Sequence, residues 1–161
     1  MDDYFSWDIL SDQGNEVYVP QGSNGIAQEG TVYADDIGCC IGIGIYDSEE
    51  EIGYLSHLDT VTRDKEDYIG QLNVFLEILP ELETPEIVLV GGANPDVKDT
   101  IDSDFADPTA RETYHIGGLK NTTARILDES FETEIEIDYP GDKDTELYVD
   151  SQEGIEMIHR T

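Results

Sequence analysis

The chain has 161 residues, enough for one domain with a proper core. Its 38 Asp and Glu against 8 Lys and Arg leave a net charge of −30, which argues against direct nucleic-acid binding, because phosphate contacts need the Lys and Arg that are scarce here. The hydrophobic fraction of 38% is low, but the apolar residues come in periodic runs, so disorder is a poor description.

The acids are spread along the chain rather than gathered in a tail, as on a protein adapted to molar intracellular salt. At about 1 M salt the Debye length is about 3 Å, and most of the self-repulsion is screened. Dialysis into dilute buffer is therefore expected to lower the thermal midpoint, and an unchanged midpoint would count against a halophilic surface. The other reading of the charge is an acidic partner for a basic protein. Met1-Asp2-Asp3-Tyr4 lacks the basic start of a signal peptide. No stretch approaches the length of a membrane span. The two cysteines are adjacent, not a disulfide framework, and a reducing cytoplasm is the expected location.

Taken in order, Met1–Asn15 carries Tyr4, Phe5, Trp7, Ile9 and Leu10 among acids, a terminal segment expected to pack on the domain. Glu16–Val19 and Gly30–Ala34 read as short strands around a turn at Gly22–Gly25. Asp35–Thr60 then reads as a hairpin. Ile41, Ile43 and Ile45 alternate with Gly42 and Gly44, Asp47-Ser48-Glu49-Glu50 is turn-forming, and Ile52–Leu58 returns. With those four residues as the loop, residue 46 pairs with 51 and Cys40 falls directly across from His57. Ile41, Ile43, Ile45, Ile52 and Tyr54 then share one face. Cys40, Gly42, Gly44, Gly53, Leu55 and His57 share the other, whose lack of bulk suggests a pocket.

Thr62–Leu79 is the clearest helix, with Tyr68, Ile69, Leu72, Phe75, Leu76 and Leu79 at helical spacing, Asp64 at its start and Pro80 beyond its end. Glu86–Val90 is a compact buried strand before Gly91-Gly92, and strand, helix, strand implies a parallel crossover. Asn94–Tyr114 is Asp-rich loop, with a helical turn expected at Pro108. A second helix spans about Ile116–Ser130. Thr133–Tyr139 alternates as a strand with one wet face, and Thr145–Val149 with Gly154–Ile158 forms an antiparallel ending. The fold class is α/β: one domain over 1–161, a layered mixed sheet, two main helices and antiparallel C-terminal strands.

A cysteine and a histidine within hydrogen-bond reach are the mark of thiol catalysis. An imidazolium about 4 Å away, at an effective dielectric of about 20, is worth about 4 kcal/mol to a thiolate. Taken singly, Cys40 reads as a small buried hydrophobe and His57 as a structural histidine. Zinc is the competing use of Cys39, Cys40, His57, His115 and His159. Their spacing fits no zinc motif, and adjacent strand cysteines point to opposite faces. Gly91-Gly92-Ala93 reads as a tight turn leaving the sheet or as backbone donors lining a pocket.

Asp35-Asp36-Ile37-Gly38-Cys39-Cys40, Leu55-Ser56-His57-Leu58-Asp59 and Val88-Leu89-Val90-Gly91-Gly92 together resemble protein N-terminal asparagine amidohydrolases. The likeness covers about Val17–Ala93. The same frame is similar to the chemotaxis receptor glutamine deamidases, through Gly38-Cys39-Cys40, Tyr46-Asp47 and the Gly-Gly-Ala. The resemblance implies a cysteine-dependent deamidase of protein or peptide Asn or Gln side chains, with no metal or organic cofactor. Cys40 would be the nucleophile and His57 the base. Asp35, Asp36 and Gly92 would contact substrate, one of the carboxylates holding an α-ammonium group. The partner is a protein or peptide substrate; neither a nucleic acid nor a membrane is expected. One position departs. Where these families have Ser or Thr six residues before the cysteine, this chain has Ala34. Either another acceptor orients His57, a backbone carbonyl or Thr31, or activity is weakened or lost, leaving a catalytically silent binding module.

Overall fold

Ile41, Ile43 and Ile45 can alternate with glycine inside a buried strand only if something closes over the glycine side. In the computed structural model, which describes residues 9–11, 14–37, 40–59, 65–91, 116–131, 133–138 and 144–160, a second sheet does so. The strands are β1 Ile9–Ser11, β2 Glu16–Tyr18, β3 Asn24–Ala27, β4 Thr31–Ile37, β5 Ile41–Asp47, β6 Ile52–Leu58, β7 Glu86–Gly91, β8 Ile135–Ile137, β9 Asp144–Asp150 and β10 Gly154–Arg160. The helices are α1 Lys65–Ile78 and α2 Ile116–Ser130. One sheet runs β1-β3-β6-β5-β7-β8 and the other β10-β9-β4-β2. Both are mixed, each with a parallel pair at an edge.

The alternating faces fall as their sequence suggests. Ile41, Ile43, Ile45 and Tyr54 pack with Tyr68, Leu72 and Phe75 of α1 and Leu127 of α2. On the opposite side Cys40, Leu55, Val88 and Val90 pack against Val32, Ala34, Ile37, Leu147 and Val149 of the smaller sheet. The result is three layers, helices on sheet on sheet, with two apolar cores. Where one sheet was expected there are two, because β2 and β4 near the chain's start pair with β9 and β10 at its end.

Three further expectations are corrected. Asn24–Ala27 is strand β3, where Gly22–Gly25 reads as a turn from its Asn and Gly. Gly25 is there for close approach: a Cβ on it would lie 2.6 Å from a Val19 methyl. The hairpin register also differs. Asp47 pairs with Ile52, and the loop is 48–51. Asp47 ends the strand because its carboxylate accepts from the backbone N–H groups of Glu49 and Glu50 at 3.1 and 3.4 Å. Glu51 closes the loop in the left-handed region, φ 56°. Moving the loop by one residue moves every pair by two, so Gly42, not Cys40, lies across from His57. A shift of two keeps each side chain on its expected face.

The third correction concerns the glycines. A Cβ on Gly42 would lie 2.9 Å from the Ile37 Cδ1 and 3.0 Å from a Val90 methyl. One on Gly53 would lie 2.2 Å from a Val149 methyl. These glycines are filled by the opposing sheet and form no substrate pocket.

Strands β6 and β7 run the same way through α1, as a crossover requires, with β5 between them. Gln71 of α1 pins the end of β6. Its Oε1 accepts from the Asp59 N–H at 2.9 Å and its Nε2 donates to the Asp59 carbonyl at 3.0 Å. At the other end of the chain, His159 bridges the Thr145 hydroxyl at 3.1 Å and Asp138, just past β8, at 3.2 Å. The expected helix start at Thr62–Asp64, the Asn94–Tyr114 loop and Tyr139 lie outside the described residues.

Candidate active site

His57 occupies the penultimate position of β6 and turns inward toward the inter-sheet core, 3% exposed. Its backbone is held twice by the segment after β2: the Gly22 N–H donates to the His57 carbonyl at 2.7 Å, and the His57 N–H donates to the Ser23 carbonyl at 3.1 Å. That docking brings the Val19 carbonyl 3.1 Å from Nδ1 of the ring. A carbonyl can only accept, so Nδ1 carries the hydrogen and the neutral ring keeps its lone pair on Nε2. Nε2 is buried and has no hydrogen-bond partner among the described residues.

Of the two acceptors considered for orienting this ring, the backbone carbonyl is therefore the one in use. Thr31 is engaged elsewhere, its hydroxyl donating to Asp150 at 2.5 Å. Ala34, at the position of the missing Ser or Thr, is fully buried between the sheets.

Burial lowers the His57 pKa from 6.5, while the Val19 hydrogen bond and the charges of Asp35, Asp59 and Asp36 pull weakly the other way. The ring is neutral near pH 7, with its lone pair on Nε2 and no imidazolium charge. This differs from the ion pair that sequence reasoning favours, because two covering sheets penalise a cation more than distant acids reward it. The sign for stability follows. Below 6.5 the unfolded chain takes up a proton that the folded ring resists, so stability is fully present above that value and declines as pH falls through it. A His57→Gln variant should lose this portion of the pH dependence in denaturant titrations between pH 7.5 and 5.5. Identical slopes for both proteins would show that the ring titrates as an exposed one.

Cys40 sits immediately before β5, 4% exposed, on the same side as Gly42 and His57. It is diagonal to the histidine, an arrangement that in a regular ladder spans about 7–8 Å between backbones, and the expected hydrogen bond between its thiol and the Nε2 of His57 is not formed. Gly91 holds this turn from the far side. Its φ is +89°, and a Cβ there would lie 2.2 Å from the Cys40 carbonyl oxygen, so only glycine fits. Cys39 and Gly92 lie outside the described residues. Tyr68 is also close enough for the charge of a Cys40 thiolate to act on its phenol; burial is the larger cause of that phenol's raised pKa. The Tyr68 hydroxyl is hydrogen-bonded to Thr123 at 2.5 Å.

Asp35 and Asp36 stand at a bulge. Ala34 pairs with Leu147 and Ile37 with Thr145, three residues of β4 against two of β9. The extra residue is absorbed by Asp36 in the left-handed region, φ 51°, where Asp is tolerated better than most residues. Without the bulge Asp36 would face the core in place of Ile37. With it, Asp35 is half-buried and Asp36 exposed.

Cys40, His57, Asp35 and Asp36 thus lie at one end of the two sheets, but no hydrogen bond joins Cys40 to the Nε2 of His57, and Asp35 lies on the outer face of the smaller sheet beside Tyr18. Among the described residues, no three His, Cys, Asp or Glu side chains are grouped to hold a metal ion. No helix among them is long and apolar enough to cross a membrane. A cavity of about 650 Å³ lies elsewhere, between the ends of the helices, and touches neither Cys40 nor His57. The sequence allows a backbone carbonyl in this role but does not single out Val19, because a main-chain group leaves no side-chain signal. Sequence reasoning reads Tyr68 as core from its helical spacing, which is true of the ring and silent about the hydroxyl. No protein-family model matches the chain, and no curated protein matches it either.

Proposed function

We propose that the protein is a cysteine amidohydrolase that converts an Asn or Gln side chain of a protein or peptide to Asp or Glu with release of ammonia. The observation that supports it most is the state of His57: a buried neutral imidazole, oriented through Nδ1 by the Val19 carbonyl, with no partner for Nε2 among the described residues, on the side of the sheet that carries Cys40. A histidine kept only for packing does not need a buried basic nitrogen left without a partner among the described residues.

In this reading the Cys40 thiol gives its proton to Nε2 as sulfur bonds to the carboxamide carbon. The tetrahedral oxyanion is held by backbone N–H groups near Cys40. The proton passes from Nε2 to the departing nitrogen, which leaves as ammonia. Water, deprotonated by the same Nε2, then hydrolyses the thioester to the carboxylate and restores the thiol. Asp36, exposed at the bulge of β4, would suit a cationic group of the substrate such as an α-ammonium, with Asp35 turned to the outer face beside Tyr18.

A second reading, a silent deamidase-like module that binds a partner, is favoured by one observation: both reactive side chains are almost fully covered, and Ala34 supplies no hydroxyl. Ammonia release from Asn- and Gln-bearing peptides and proteins in molar salt, against a Cys40→Ser control, decides between them. Release that the control lacks supports the hydrolase. Absence of release, with iodoacetamide reaching Cys40 only under denaturing conditions, supports the silent module.

A further inference from the structure

The outer face of the smaller sheet carries a row of tyrosines that neither core uses. Tyr18 of β2 pairs in register with Tyr33 of β4, Tyr33 with Tyr148 of β9, and Tyr148 with Glu156 of β10, so the row crosses all four strands. Tyr33 and Tyr148 stack at 5.3 Å between centroids and 12° between planes, and Tyr18 tilts onto Tyr33 at 5.5 Å. Tyr18 is 42% exposed at the sheet edge.

Carboxylates border these rings. The Tyr148 hydroxyl donates to Glu146 at 2.8 Å. Burial and Asp35 raise the Tyr18 phenol, and burial, Glu16 and Glu156 are among the causes that raise Tyr148, so both rings stay neutral. The four strands contain no lysine, and their one arginine, Arg160, is four residues along β10 from Glu156. Electron-rich ring faces beside acids, with no cation of their own in the row, complement a planar guanidinium, which stacks on aromatic faces and pairs with carboxylates at once.

We propose that this face is a docking surface for an arginine-bearing segment of a partner protein. General attraction of a −30 chain for any cation is the alternative, and salt separates the two. At about 1 M salt ionic attraction fades within about 3 Å, whereas stacking against a ring persists.

The test titrates a short arginine-containing peptide, and the same peptide with citrulline in place of arginine, into the Cys40→Ser protein in molar salt while backbone amides are followed by NMR. Using the Ser variant keeps the result independent of any deamidase activity. The expected outcome is shifts concentrated in β2, β4 and β9, with the citrulline peptide about 5- to 30-fold weaker. Tyr33→Val should weaken the arginine peptide by a similar factor, and Tyr18→Leu, at the edge, serves if Tyr33→Val unfolds. Equal affinity of the two peptides, shifts scattered over the acidic surface, or binding seen only in dilute buffer would each overturn the proposal.

Discussion

Replacing His57 by Gln is expected to lower ammonia release by about 10²- to 10⁴-fold, the usual contribution of one positioned base. Gln keeps a side-chain N–H able to reach the Val19 carbonyl, but it has no lone pair that can take a thiol proton at neutral pH. The fold should survive, since the backbone bonds of residue 57 to Gly22 and Ser23 do not involve the ring. Cys40→Ser should lose at least as much. The double variant should be no worse than the poorer single one, because a nucleophile and its base act as one unit. Losses that multiply would mean that the two residues act separately. Alkylation of Cys40 should also slow in His57→Gln under native conditions, and a rate indifferent to residue 57 would remove the histidine from the chemistry.

The depressed His57 pKa sharpens the same experiment. A base that stays neutral below 6.5 places the acid limb of the rate profile lower than that of an ordinary histidine. An enzyme resting as a thiolate–imidazolium pair would instead show alkylation persisting to low pH. The two cases differ in where the proton sits before substrate arrives, and burial between two sheets favours the neutral pair.

Much of this arrangement was legible in the chain. The alternation from Ile41 to Ile45 assigns both faces of β5, and a shift of two residues in the hairpin leaves that assignment intact. The helical stripe of α1 and the bounds of α2 follow from apolar spacing and from Pro80. The hairpin closure did not, because Asp47 can serve as a loop residue or as the strand end that caps the loop, and local composition is the same for both. Strand β3 was hidden by Asn24 and Gly25, whose turn preference gives way to pairing with β6 and to packing under Val19. The second sheet was hidden because its strands come from opposite ends of the chain. That concealment had a chemical cost: the glycine face beside Cys40 was open in one dimension and closed in three. Of the candidate site, the sequence offers Cys40 and His57 as a pair, but the carbonyl that sets the ring's tautomer is main chain and carries no residue signature.

The closure of that glycine face leads to the largest expected effect on stability. Gly53→Ala adds a methyl that would lie 2.2 Å from the Val149 Cγ1, far inside contact distance, and Val149 also packs on Gly44 from the same strand position. Neither sheet can retreat alone, because β9 is hydrogen-bonded to both β4 and β10. Overpacking of this kind costs about 3 kcal/mol, or a Tm lower by about 6–12 °C for a domain of this size. Val149→Ala alone should cost about 2 kcal/mol through lost burial and the space left behind. If the two residues fill the same volume, the double variant should be less damaging than the sum, recovering about 2 kcal/mol as the new methyl enters the space vacated. Denaturant melts of the four proteins in molar salt measure this directly. Strict additivity would mean that Gly53 and Val149 do not meet, and the two sheets would then have to pack differently from the arrangement that buries Cys40 and His57 between them.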